Sequence, residues 1–173
     1  MTALLRLTGV IFNIVEAMVR LTLFLVYLTS VSMWGEFRRV LQYHGAEHKA
    51  INAYEAGVAL SPTTAKRFSR LHPRCGTSFI FITLLVSILF FSMMPNPGFF
   101  ARLAYRVILI PVIGAVSYEI LKFSDRHRGS RIMKILVMPG LGLQRLTTRE
   151  PDDDMITVAI KAVDEVNKLR QST

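Results

Sequence analysis

The sequence predicts an all-α, polytopic membrane protein, and three observations carry that expectation. Apolar stretches over about residues 9–33, 75–94 and 103–123 are each long enough to cross a hydrocarbon layer of about 30 Å. Hydrophobic residues make up 51% of the 173 and mean hydropathy is +0.39, both high for a chain that must dissolve in water. The excess of 21 Lys and Arg over 12 Asp and Glu gathers between residues 34 and 74 and again beyond residue 122. Cytoplasmic loops of membrane proteins carry that bias. The length fits a single membrane domain, residues 1–173, with a cytoplasmic connector at 34–74 and a cytoplasmic tail at 124–173.

The first apolar stretch reads VIFNIVEAMVRLTLFLVYLTSVSM, with Glu16 and Arg20 four residues apart on one helical face. Charges inside a span pair with one another, so a neutralising ion pair is expected there rather than a substrate site. Only Arg6 precedes the stretch as a cation, and no small-residue cleavage pattern follows it, which argues against a cleaved signal peptide. A helix is expected over 36–56, closed by Gly57, and then a polar connector with Ser61-Pro62 and the basic run Lys66, Arg67, Arg70, Arg74. The second stretch, GTSFIFITLLVSILFFSMM, and the third are joined by Pro95-Asn96-Pro97-Gly98, a tight turn, so the two spans form a hairpin. Pro111 and Gly114 interrupt the third, as membrane helices tolerate.

Beyond residue 123, Ile132–Val137 is apolar but short, and Pro139-Gly140 is expected to break it. Asp152, Asp153 and Asp154 precede Ile156, Ala159, Ile160, Val163 and Leu169, spaced as one stripe of an amphipathic helix that the acids cap. Residues 95–100 carry no Lys or Arg. That places the turn outside, the connector and tail in the cytoplasm, and the N-terminus outside.

The connector helix holds the sequence's most specific pattern, Tyr43-His44-Gly45-Ala46-Glu47-His48-Lys49. It spells H-x-x-E-H, the inverted zincin motif, in which two imidazoles one turn apart bind zinc and the Glu polarises a water. On a helical wheel Phe37, Val40, Leu41, His48, Ile51 and Glu55 fall within about 60° of His44, while Arg38, Arg39 and Lys49 do not. The histidines are therefore expected on a buried stripe, where adjacent imidazoles need partners that a metal supplies. His72-Pro73-Arg74-Cys75 adds H-x-x-C. Of four His and one Cys in the chain, three His and the Cys fall in these two motifs, a His3Cys set of zinc-ligand type. A single Cys excludes an intrachain disulfide and suits a reducing compartment.

The blocks QYHGAEHKAINAYEAG, SRLHPRCGTSF, SYEILKFSDRH and PGLGLQRLTTREPDDDMITVAI resemble the signature blocks of domain-of-unknown-function family 1385 (DUF1385), the YqhQ-like bacterial membrane proteins. The resemblance runs from about Asn13 to Val166. It implies a multi-pass protein of the bacterial plasma membrane, described in that family as a metal-dependent enzyme whose reaction is not established. Matching motif to motif, it points to His44, Glu47, His48, His72 and Cys75. It also implies longer relatives, with a further membrane-associated part ahead of the block that begins near Asn13.

Two functions of different class follow. The first is a zinc-dependent membrane hydrolase: His44 and His48 bind the ion, His72, Cys75 or Glu119 completes the set, and Glu47 is general base toward a metal-activated water. Glu119 enters because inverted zincins take a downstream Glu as third ligand. Four protein ligands would close the site and make it structural; catalysis needs one open position. The second is a non-enzymatic membrane adaptor or biogenesis factor, with a structural zinc and a basic cytoplasmic face that binds a membrane protein, another copy of the chain, anionic lipid or a ribosome. The chain shows no RNA-binding signature, and positive-inside topology accounts for most of the +9 charge. A transporter would show paired repeats, which are absent from the sequence.

Overall fold

The structure is a computed structural model and describes residues 2–93, 98–127 and 129–172. Those residues form seven α-helices and no strand. In chain order they are α1 (Thr2–Met33), α2 (Phe37–Glu55), α3 (Pro62–Ala65), α4 (Gly76–Ser92), α5 (Phe99–Arg126), α6 (Arg131–Thr147) and α7 (Asp153–Gln171). The chain divides into two compact units, residues 1–27 with 74–140 and residues 28–73 with 141–173. Among the described residues, two helices are long and apolar enough to cross a membrane: α1 over Ile14–Met33, and α5. α4 is apolar but has 17 residues, about 25 Å, so it is shorter than the stretch 75–94 suggested. The turn residues Pro95, Asn96 and Pro97 lie outside the described set.

In the first unit α4 packs along α5, and the Glu16–Arg20 pair acquires a third member. Glu16 Oε1 accepts from Arg20 and also from Arg106 Nη2 at 2.7 Å, while both guanidiniums sit over the Phe91 ring, 5.4 and 5.5 Å from its centroid. Arg106, eighth residue of α5, was not anticipated as a partner. α6 also departs from expectation: it runs through Pro139 and Gly140 instead of ending there. A proline in a helix forfeits one backbone bond, which packing can offset. Here Gly140 presses on Ser78 of α4, where an added Cβ would lie 2.9 Å from Ser78 Oγ. Small residues at such a contact let two helices approach closely.

The second unit is built on α2 and α7. Ala46, Ala50 and Ala53 are fully buried against Met155, Ile156, Ala159 and Ile160, with Ala65 of α3 beside them. The small methyl faces of α2 bring the two helices together, a contribution hidden on a wheel scored for large apolar residues. Val40, placed on the buried stripe by that wheel, is 58% exposed, whereas Lys49 is 4% exposed. α2 ends in a Schellman turn. Gly57, at φ 69°, donates to Tyr54 O, and Val58 donates to Ala53 O. α7 starts as its acids suggested, with Asp152 accepting from Met155 N at 2.8 Å and Asp153 and Asp154 in the first turn. Asp153 also meets Lys66 Nζ at 2.8 Å, and that hydrogen bond and charge hold the exposed Lys66 ammonium above its ordinary pKa.

Candidate metal centre

The connector after α3 has no regular structure from residue 66 to 75, so its backbone carbonyls need partners from elsewhere. α2 supplies them from one polar face. Lys49 Nζ donates to Lys66 O and Phe68 O, both at 2.9 Å. Asn52 Nδ2 donates to Ser69 O at 2.8 Å and Leu71 O at 3.1 Å. His48 Nδ1 meets Arg70 O at 2.6 Å. Five successive or near-successive carbonyls are thus held by three side chains of one helix. The third Lys49 proton faces Glu150 Oε2 at 3.2 Å, so the buried ammonium is fully partnered.

The segment after α6 grips the other side of α2. Arg149 N donates to Leu41 O at 2.8 Å, Gln42 Nε2 to Glu150 O at 3.1 Å, and His44 Nδ1 meets Thr147 O at 2.7 Å. Gly45 explains how this is sterically feasible. A Cβ there would sit 2.1 Å from Arg149 O, so only glycine admits the chain at that point of the motif.

Both motif histidines therefore spend Nδ1 on a backbone carbonyl. A carbonyl only accepts, so Nδ1 is the donating nitrogen of each ring, and Nε2 is the one a metal would take. The rings meet edge to face, 4.4 Å between centroids. His48 is buried and His44 partly so. This is the arrangement in which metal-binding imidazoles are held, with the non-ligating nitrogen fixed by a second group.

His72 is placed differently. Its ring is 5.9 Å from that of His48, and its Nε2 lies 3.2 Å from Glu55 Oε1. Its backbone is clamped by Gln144, fully buried, which accepts from His72 N and donates to His72 O, each at 2.8 Å. Cys75, 5% exposed, is the N-cap of α4, and its Sγ accepts from Thr77 N at 3.4 Å. Of the candidate ligands, His44, His48 and His72 belong to the second unit, and Cys75 and Glu119 to the first. Glu119 stands on α5, 69% exposed, with Lys122 Nζ 3.9 Å from its carboxylate. Glu47 is exposed on α2 and has no hydrogen bond or ion pair among the described residues.

Lys49, Asn52, Gln144 and Arg70, which donates to Thr148 O at 3.0 Å, went unread in the sequence. The available signal was spacing: Lys49 and Asn52 repeat the three-residue interval of Ala50 and Ala53, so polar and small faces run side by side.

The family model described as "Protein of unknown function (DUF1385)" matches residues 1–169. The chain is also similar to the "Uncharacterized protein YqhQ" of Bacillus subtilis (strain 168), at 41% identity over 155 residues. That match covers 90% of this chain and 49% of the relative, so the chain spans about half of the relative's length. No solved structure matches it.

Proposed function

We propose, starting from the fact that this chain belongs to the DUF1385 family, that it is a zinc-dependent hydrolase of the plasma membrane with its site at the cytoplasmic surface. The observation that carries the reading is the pair of Nδ1 contacts, His44 to Thr147 O and His48 to Arg70 O. They hold both rings by Nδ1, so that Nε2 is the nitrogen a metal would take. A structural zinc would be needed to fasten the connector, but side chains of α2 already hold it at five carbonyls. Fastening the connector is thus no argument for a structural zinc.

The donor types fit zinc: imidazole nitrogens from His44 and His48, and a sulfur in the H-x-x-C motif. His72 Nε2 is turned to Glu55, and the H-x-x-C motif offers Cys75 as a third ligand by residue type; catalytic zinc sites use three protein ligands and keep one position for water or substrate. Zinc, when bound, supplies Lewis acidity and makes water a better acid. The chain supplies the rest. Thr147 O and Arg70 O orient the two imidazoles, Gly45 admits the segment that carries Thr147, and Glu47 offers an exposed, uncommitted carboxylate as proton acceptor. Membrane placement rests on α1 and α5 as spans with the apolar α4 as a third. The Lys and Arg excess in the connector and tail supports a cytoplasmic side for both.

The test is Glu47→Gln, scored for zinc content and for complementation of a deletion strain. The amide is nearly isosteric but takes no proton at neutral pH. Retained zinc with lost complementation is the expected result, whereas His44→Ala and His48→Ala lose the metal itself. Full zinc with full complementation in the Gln variant removes Glu47 as an essential base. The reading then passes to an adaptor with a structural zinc.

A further inference from the structure

The second unit contains a cavity that the metal centre does not use. It has a volume of about 540 Å³ and is lined by Ser32, Met33, Trp34, Arg38, Gln42 and Arg149 among others. We propose that this cavity binds the headgroup of an anionic phospholipid, with Arg38 as the principal phosphate contact. The proposal rests on the membrane placement of α1 given above but not on the metal reading.

Charge is the first argument. Arg38 and Arg149 both line the cavity, and Glu150, which also lines it, is its one carboxylate among the described residues. That carboxylate is paired with the buried Lys49 ammonium at 3.2 Å, so it does not neutralise the arginines. Arg149 spends one nitrogen on Ser32 O at 3.0 Å, whereas Arg38 has no acidic partner among the described residues. Gln42 adds a second polar wall beside it. Arginine forks and amides of this kind suit phosphate oxygens.

Position is the second argument, and it selects the source of the phosphate. The cavity lies at the end of the apolar span of α1: Ser32 and Met33 are the last two residues of the span Ile14–Met33, and Trp34 follows at once. Met33 is 78% and Trp34 58% exposed, an apolar lip next to a cationic floor. Tryptophan at the end of a span marks the headgroup level of a bilayer. A ligand that enters there presents acyl chain to the lip and phosphate to the arginines, which describes a lipid better than a free anion. Phosphatidylcholine fits poorly, because its choline cation would face two guanidiniums.

Trp34 is the single tryptophan of the chain and stands in the cavity wall, so it reports on occupancy directly. The full chain is reconstituted in phosphatidylcholine nanodiscs, and Trp34 emission is followed as brominated phosphatidylglycerol is added. Bromines on brominated phosphatidylcholine serve as the comparison. The expected result is saturable quenching by phosphatidylglycerol at low mole fraction, and quenching by phosphatidylcholine that only tracks its abundance. Arg38→Gln should raise the half-saturating mole fraction about tenfold, the loss of one charge-assisted bond, and Arg38→Lys should restore most of it. Arg38 is exposed and has no structural partner, so the variant keeps the fold. Equal curves for the two lipids, or for wild type and Arg38→Gln, overturn the proposal. So does saturation by inorganic phosphate alone, which would make the ligand a soluble anion. Absence of quenching by either lipid overturns the membrane placement on which it stands.

Discussion

Gly45→Ala tests how the fold serves the site, because one methyl group acts on both. The new Cβ would lie 2.1 Å from Arg149 O and 3.3 Å from Arg149 C, so the segment 147–150 must retreat by about 1 Å to reach ordinary contact. Three hydrogen bonds attach that segment to α2: Arg149 N to Leu41 O, Gln42 Nε2 to Glu150 O, and His44 Nδ1 to Thr147 O. They span 2.7 to 3.1 Å, and a retreat of that size carries them past useful length. At about 1 kcal/mol each the loss is roughly 3 kcal/mol. Alanine returns up to about 1 kcal/mol as the better helix former. The net cost is about 2 kcal/mol, or a fall in Tm of about 4–8 °C for a domain of this size. Zinc affinity should fall with it, about 10–100-fold, because His44 loses the carbonyl that fixes its tautomer. Gly142→Ala is the matched control, since nothing lies within 4 Å of its added Cβ inside α6. Melting curves in detergent and zinc competition against a fluorescent chelator give both quantities. A Gly45→Ala protein that melts at or above wild type and binds zinc unchanged would refute the argument.

Two further substitutions separate the framework from the chemistry. Lys49→Met keeps the length of the side chain but leaves Lys66 O and Phe68 O without their donor, at an expected cost of about 2–4 kcal/mol. Trypsin should then cut sooner at Arg67 and Arg70, and unchanged protection would show that the ammonium does not hold the connector. Gln144→Leu removes both bonds to the His72 backbone from a fully buried position, with a similar loss of about 2–4 kcal/mol. Because the His44 and His48 contacts lie elsewhere, zinc bound to the folded fraction should keep near-normal affinity. A large drop in affinity at unchanged Tm would instead place His72 among the ligands.

Helix type and order were legible wherever a side chain's own chemistry decides them. The apolar stretches gave α1, α4 and α5, the three aspartates gave the start of α7, and Gly57 gave the end of α2. Expectation failed where a contact between distant elements overrides local preference. Pro139-Gly140 reads as a break, yet Gly140 is there to meet Ser78, and the helix continues. The lengths of α4 and α5 shifted for a related reason. Hydropathy marks how much chain is apolar, while capping by Cys75 and Gly98 fixes where each helix starts.

The candidate ligands were readable for the opposite reason to their supports. Histidine and cysteine at fixed spacing announce themselves by residue type, since few other side chains bind zinc. The groups that hold them in place bond to backbone carbonyls, and every residue has one. Lys49 looked like a solvated lysine because its partners, Lys66 O and Phe68 O, leave no trace in the identities of residues 66 and 68. Gly45 is the exception that could have been read, as a glycine inside a helix costs about 1 kcal/mol and demands a reason. The reason is the passage of Arg149 O, which brings Thr147 O onto His44. H-x-x-E-H is therefore better understood here as H-G-x-E-H. The imidazoles offer the ligands, and the glycine lets the chain's far end come in to aim one of them.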